Sequence, residues 1–240
     1  MNLPVKAQAV FHSPGKRKIQ EDFALSMPQK SIFVMCDGFG GGNSGIQAAK
    51  SACDSVKGFL EKEAGDLEAT LPFVLRSYYS LAGNVLFNAL IHANRKVNLL
   101  NKGKNVHEKG GASVLAGFMD GDLLALANVG ACTAWLIRDG GATEIVVPRT
   151  YGRLVNPFHD GPDLYGQAPL MAVGMGEDVE PEIFECRLHS GDCVLLMTDG
   201  VTAEERGKLF QLIPDGPQAI EKNLKNQKFD DNASVLAIYF

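Results

Sequence analysis

Ile32-Phe33-Val34-Met35-Cys36-Asp37-Gly38-Phe39-Gly40-Gly41-Gly42 is the stretch whose reading decides the fold. Five apolar residues in succession read as a buried strand, and the run ends in an acid followed by glycines. A carboxylate at the mouth of a buried strand is costly unless something positive meets it. Gly38 lets the backbone turn sharply and brings a bare carbonyl close to whatever the acid holds. The construction recurs near the other end, where Cys193-Val194-Leu195-Leu196-Met197-Thr198 runs into Asp199-Gly200. Two strands that each deliver an Asp-Gly step point to one site built from distant parts of the chain.

Around that stretch the chain reads as strands, then helices, then strands again. Residues 5–10 form a first strand, broken by Ser13-Pro14-Gly15, and residues 23–26 and 31–36 pair across Met27-Pro28-Gln29-Lys30. A helix begins near Gly45, with Ile46, Ala49, Cys53, Val56 and Leu60 on one face. Leu75, Tyr79, Ala82, Leu86, Ala89, Ala93 and Val97 keep that period and predict a second helix over about 72–100, with Thr70 as its N-cap ahead of Leu71-Pro72. Residues 102–110 read as a loop. Residues 112–119, 123–128, 133–137 and 143–147 are strand-like, and Asp120-Gly121 and Asp139-Gly140-Gly141 between them are hairpin chemistry. Residues 149–169, rich in Gly, Pro and Asp, read as an irregular excursion. Strands at 183–188 and 192–197, a helix at 218–226 and a strand at 233–239 close the chain. This order predicts an α+β fold with mainly antiparallel sheets.

The bulk numbers set the class. With 240 residues, 45% apolar and 21% charged, the chain is expected to fold as one domain over 1–240. A net charge of −5 argues against a general nucleic-acid binder. Neither a secretory leader nor a run of about 20 apolar residues is seen, so no membrane association and a cytoplasmic location are expected. Cys36, Cys53, Cys132, Cys186 and Cys193 include no C-x-x-C pair and read as reduced core residues rather than a catalytic thiol. His12, His92, His107, His159 and His189 are scattered without zinc-site spacing.

The acids carry the chemistry. Glu21-Asp22, Asp37, Asp199 and Asp230-Asp231-Asn232 each fall at a strand edge or turn. Spacing alone leaves each of them open to the plainer reading of a turn residue or an exposed charge. If several converge, repulsion of roughly 4 kcal/mol per pair at about 4 Å and an effective dielectric of ~20 must be offset. Oxygen-only donors call for hard cations, Mg²⁺ or Mn²⁺. Two such ions can activate a bridging water for phosphoryl displacement. Arg17, with a planar fork, would suit the phosphate.

The series Arg17-x-x-x-Glu21-Asp22, Asp37-Gly38-x-Gly40-Gly41, Gly111-Ala112-Ser113, Thr198-Asp199-Gly200 and Asp231-Asn232 resembles the metal-dependent serine/threonine protein phosphatases of type 2C, in a compact, bacterial-like form. The resemblance runs from Arg17 to the C-terminus. It implies a four-layer sandwich of two mainly antiparallel β-sheets flanked by pairs of α-helices, with a short flap at about 150–169. It implies that Asp37 bridges two Mn²⁺ or Mg²⁺ ions, that the Gly38 carbonyl and Glu21 complete one shell, and that Asp199 and Asp231 hold the other ion. Arg17 would grip the phosphate and Asp22 would orient a neighbouring ligand or water. Asp230 rivals Asp231, which is preferred because the family pattern places Asn directly after the ligand. The implied activity is hydrolysis of phosphoserine and phosphothreonine on proteins. The implied partners are a phosphoprotein substrate and a cognate serine/threonine kinase, with the chain itself a monomer.

The sequence departs from the family pattern at three places. Gly130-Ala131-Cys132 stands where Gly-Asp-Ser is usual, and Ala203 where another acid can occur, so the third ion that many members bind loses its ligands unless the adjacent Glu204 substitutes. The segment after Val147 lacks the usual Asp-His-Ser step, and the flap is short. Phe39 replaces the His or Met common after Asp-Gly, which excludes a histidine general acid from that position. A catalytically silent phosphoprotein- or partner-binding protein on the same fold is the alternative. Relatives that act on anti-sigma-factor antagonists are a further possibility within the class, although Arg17 leans towards the branch that reverses kinases. A nucleotide-phosphate loop at residues 38–45 fails for want of a Lys-Ser/Thr after the glycines.

Overall fold

The computed structural model describes residues 3–63, 75–161 and 164–240. Ten strands in these residues form two five-stranded sheets. One has the order β1 (Ala7–Ser13), β10 (Ala233–Tyr239), β9 (Cys193–Met197), β6 (Thr133–Arg138), β7 (Gly141–Val146). The other has the order β2 (Phe23–Met27), β3 (Ile32–Gly40), β4 (Gly110–Asp120), β5 (Leu123–Val129), β8 (Glu182–Arg187). Each pairing between neighbours is antiparallel.

Two-residue alternation in the central strands creates the layers. In β3, Phe33 and Met35 face the opposite sheet, where Leu196, Leu236 and Ile238 meet them. Ile32, Val34 and Cys36 face outward, under helices α1 (Ser44–Glu63) and α2 (Leu81–Asn101). Ala49, Cys53, Val56 and Leu60 of α1 and Leu86, Ala89, Ala93 and Val97 of α2 seal that face. Cys193, Leu195 and Met197 of β9 face outward under α5 (Ala203–Leu212) and α6 (Pro217–Lys225), where Leu209, Ile220 and Leu224 cover them. Burying one such leucine contributes about 1.5–3 kcal/mol. The result is the α+β fold that the element order predicts, in the four-layer sandwich that the resemblance implies.

Several boundaries differ, each for a local reason. Strand β3 does not stop at Asp37 but runs on to Gly40, because Gly110 and Gly111 of β4 pair with Gly40 and Phe39. The first strand begins at Ala7 and extends to Ser13, held by β10 along its length. Helix α2 starts at Leu81, later than the periodicity implies. The Ser80 side chain caps it by accepting from Gly83 N at 3.0 Å. Buried Asn84 holds the preceding turn, accepting from Arg76 N and donating to the Arg76 and Tyr79 carbonyls. Leu75 and Tyr79 therefore lie outside the helix, and Leu75 is exposed. Thr70, Leu71 and Pro72 lie outside the described residues.

Helix α5 is absent from the periodicity reading, yet its signal is present. Thr202 and Glu205 form a reciprocal capping box at its start. The 149–169 excursion is also not wholly irregular, since it contains the short helices α3 (Tyr151–Val155) and α4 (Leu164–Gln167). No helix among the described residues is long and apolar enough to cross a membrane.

Candidate active site

At one end of the inter-sheet core the inward face turns polar on four strands at once. The inward phase of Phe33 and Met35 brings Asp37, and that of Leu115 brings Ser113, its register partner. Val194 and Leu196 lead to Thr198, just past the end of β9, while Leu236 and Ile238 lead back to Ser234. Asp22 arrives beside them because Phe23, the next residue, pairs with Cys36.

Asp22 ties the two sheets together here. It is buried, and its Oδ2 accepts from Thr198 Oγ1 at 2.9 Å and from Ser234 Oγ at 2.8 Å. Ser234 Oγ lies 2.8 Å from His12 Nδ1. With the serine hydrogen committed to Asp22, His12 is the donor at Nδ1, and burial lowers its pKa below the usual histidine value. Asp37 is within hydrogen-bonding reach of both Asp22 and Asp199.

Glu21 is held from two sides. Its backbone N–H donates to Asn232 Oδ1 at 2.8 Å, and Asn232 Nδ2 donates to the Pro14 and Ile19 carbonyls. This one buried amide thus fastens the loop carrying Arg17 and Glu21 to the start of β10. On the other side, the first turn of α1 presses in. A Cβ on Gly45 would collide with Glu21 Oε1, and one on Gly38 would collide with the Gly45 carbonyl and approach the Glu21 carbonyl to 2.8 Å. Gly38 has to be a glycine against the backbone of Gly45 and Glu21, while a side chain at Gly45 would push the Glu21 carboxylate aside.

Arg17, Glu21, Asp37, Gly38, Asp199 and Asp231 all line one cleft of about 670 Å³, together with Phe39, Gln167 and Met175. Asp22 stands behind them, away from the cleft surface. At the rim, Arg17 forks onto Asp231, Nε to Oδ1 at 2.8 Å and Nη2 to Oδ2 at 2.6 Å. Asp230 faces away and pairs with Lys16 at 2.6 Å.

The electrostatics are those of crowded, dehydrated acids. Burial pushes Asp199 up to about 7, with the Asp22 and Asp231 charges adding to it. Burial also lifts Asp22 to about 6, against the pull of the Ser234 and Thr198 hydroxyls. Asp37 is raised well above the usual carboxylate range by burial and then by Asp199 and Asp22. Burial raises Glu21 too, opposed by Arg17.

Glu21 Oε1 and Asp22 Oδ1 are buried without a hydrogen-bond partner. Orphaned carboxylate oxygens amid like charges are acceptors without a donor, and they fit a hard divalent cation. Among the described residues no three His, Cys, Asp or Glu side chains already converge as a ready-made cage. With Asp231 turned to Arg17, an incoming ion would have to displace that guanidinium.

The neighbouring cysteines are not competing ligands. Cys132 is fully buried and its thiol is raised well above its ordinary value by burial and by the acids. All five cysteines are free. Ala131 and Ala203 line a separate cavity of about 290 Å³ that shares Asp199 with the cleft. Glu204, beside them, is exposed and bonded to Lys208 at 2.5 Å.

The sequence assigns no role to Thr198, Ser234 or His12, and none to Asn232 as a clamp. A signal existed: a single polar residue on the inward phase at the same end of several apolar strands.

No protein-family model matches the chain, and no curated protein matches it. Solved structures do. PppA, described as a key regulatory component of T6SS in Pseudomonas aeruginosa, superposes with a TM-score of 0.78 at 21% identity, covering 97% of this chain and 96% of that one. The PPM Ser-Thr phosphatase MsPP from Mycobacterium smegmatis, in complex with cacodylate, gives 0.78 at 19%, covering 99% and 100%. The catalytic domain of the serine threonine protein phosphatase PstP, in complex with two manganese ions, gives 0.76 at 18%, covering 98% of each. At about one residue in five identical, what is shared is the fold.

Proposed function

We propose that this chain is a metal-dependent serine/threonine protein phosphatase of the type 2C family. The observation that carries the reading is the meeting, in one cleft, of Glu21, Asp37, Asp199 and Asp231 from both ends of the chain with Arg17 at the rim. Asp37, which lines the cleft beside Asp199 and Glu21, would bridge two ions. Glu21 and the Gly38 carbonyl would complete one shell, and Asp199 and Asp231 would hold the other ion. Bound Mn²⁺ or Mg²⁺ would neutralise the cluster and supply an activated water for attack on phosphorus. Arg17 would exchange Asp231 for the substrate phosphate, which takes the same two parallel N–H donors. Asp22, fixed by Thr198 and Ser234, would keep Asp37 in its orientation. A neighbour of the same fold holds two manganese ions, which supports the choice of metal.

The substrate would be a phosphorylated protein, the product of a serine/threonine kinase. One observation favours the rival reading of a silent binder: the Arg17–Asp231 fork engages a proposed ligand and the proposed phosphate grip at once. The test is hydrolysis of phosphoserine, phosphothreonine and phosphotyrosine peptides with and without added Mn²⁺. Metal-dependent release of phosphate from the first two is expected. Binding without turnover at saturating Mn²⁺ would establish the rival.

A further inference from the structure

The chain carries a net charge of −5, yet one surface runs the other way. The last turns of α2 and the loop to β4 hold Arg95, Lys96, Lys102, Lys104 and Lys109, with Glu108 the one acid in that span. The Glu108 carboxylate is occupied locally, accepting from Asn105 N and Nδ2, both at 3.1 Å. None of the five cations has an ion-pair partner among the described residues. Arg17, Arg138, Arg149, Arg153, Arg187 and Arg206 all do, while Arg76 lies over the Phe87 ring instead. Leu99 and Val106 stand exposed among the cations, at 64% and 73%.

Three of the five cations share one concavity, while Lys96 lines a neighbouring groove with Lys50 and Asp54. Arg95, Leu99, Lys102 and Lys109 line a notch of about 490 Å³, with Glu177 on its wall. Asparagines of α2 fix its floor: Asn98 Nδ2 donates to the Gly176 carbonyl at 2.7 Å, and Asn101 Nδ2 to the Gly174 carbonyl at 2.9 Å. That turn presents Met175 to the acid-lined cleft and Glu177 to the notch. The Lys109 carbonyl also packs against Gly40, which lines the cleft. Since an extended chain advances about 3.3 Å per residue, a peptide leaving the cleft over Met175 reaches the notch within a handful of residues.

We infer that this notch docks an acidic segment of the phosphoprotein substrate, a few residues from the phosphorylated side chain. As a substrate-recognition device it rests on the phosphatase reading. Charge complementarity selects the occupant, because unpaired cations on a chain of opposite net charge steer an acidic partner and disfavour a basic one. The concavity, and the one turn from Met175 to Glu177 that separates it from the cleft, favour a peptide over a flat lipid surface. Leu99 and Val106 add apolar contact beside the charges.

The experiment compares two phosphothreonine peptides that differ only in whether a flanking run is glutamate or glutamine. Both are assayed with Mn²⁺ on the native chain and on the double variant Arg95→Glu/Lys102→Glu, and p-nitrophenyl phosphate serves as the small-substrate control. The glutamate peptide should show a kcat/KM about tenfold higher at low salt. That preference should vanish at high salt and in the double variant, with p-nitrophenyl phosphate turnover unchanged. Equal kcat/KM for both peptides, while p-nitrophenyl phosphate is hydrolysed, overturns the docking surface and leaves the phosphatase standing.

If nothing is hydrolysed, the phosphatase reading falls and binding of fluorescein-labelled peptides decides the surface by itself. Tighter binding of the glutamate peptide, lost in the double variant, supports it, and equal binding overturns it. Sedimentation with phosphatidylglycerol vesicles that the double variant abolishes, alongside equal peptides, assigns the patch to membrane and also overturns the proposal.

Discussion

Arg17 and Asp231, separated by most of the chain, meet at the cleft rim in a two-point fork of 2.8 and 2.6 Å. The pair is half-exposed, so its net stabilisation is small, at most about 1 kcal/mol. In the proposed function the same guanidinium holds a carboxylate that would bind an ion.

Arg17→Ala should therefore have two opposite effects. Removing the competing cation should tighten Mn²⁺ binding several-fold in calorimetric titration. Removing the phosphate grip should raise KM for a phosphothreonine peptide about tenfold or more, with a smaller change in kcat. An unchanged KM would reassign Arg17 to a surface ion pair.

The raised carboxylates fix a pH dependence for the ion-free protein. Asp22 and Asp199 move from 3.8 to about 6 and about 7, so the folded chain keeps protons that the unfolded chain releases. Their contribution to stability is fully present below about pH 4 and is lost as pH rises to about 7. In chelator, urea unfolding of Asp199→Asn should show a flatter decline over that window than the native chain, by on the order of 2 kcal/mol. Added Mn²⁺ should restore the native chain above pH 7. Parallel profiles for the two proteins would mean that Asp199 is not buried among like charges.

Gly45→Ala separates the fold from the site. The added methyl gains up to about 1 kcal/mol of helix propensity within α1, while it drives into Glu21 Oε1. Stability should stay within about 1 kcal/mol of native in urea, and Mn²⁺ affinity should fall about tenfold. Native affinity in this variant would remove Glu21 from the ion site.

What the sequence made legible follows from where the physics is local. The run from Ile32 to Cys36 and its counterpart before Asp199 are apolar enough to announce buried strands, and Asp-Gly steps at their ends announce a shared edge. Ala49, Cys53, Val56 and Leu60 announce α1 by period alone. Helix α5 was hidden because its apolar face is thin, with Leu209 the one large apolar residue buried on it, although the Thr202–Glu205 box marks its start. The late start of α2 depends on Asn84 reaching back to Arg76, a tertiary detail that periodicity cannot carry. The Asp22–Thr198–Ser234 junction joins two sheets, and only their face-to-face packing brings it about. The fork between Arg17 and Asp231 is likewise invisible to spacing, because Arg17 is as well suited to a phosphate, and Asp231 to a cation, as either is to the other.

The most direct measurement is Mn²⁺-dependent hydrolysis of a phosphothreonine peptide by the native chain and by Asp37→Asn, with unfolding by urea recorded for both. The account predicts that the native chain turns over only with metal, and that Asp37→Asn loses at least about a thousandfold in kcat/KM, worth about 4 kcal/mol, while keeping its fold. Comparable activity in the two proteins, or full native activity in excess chelator, would contradict it.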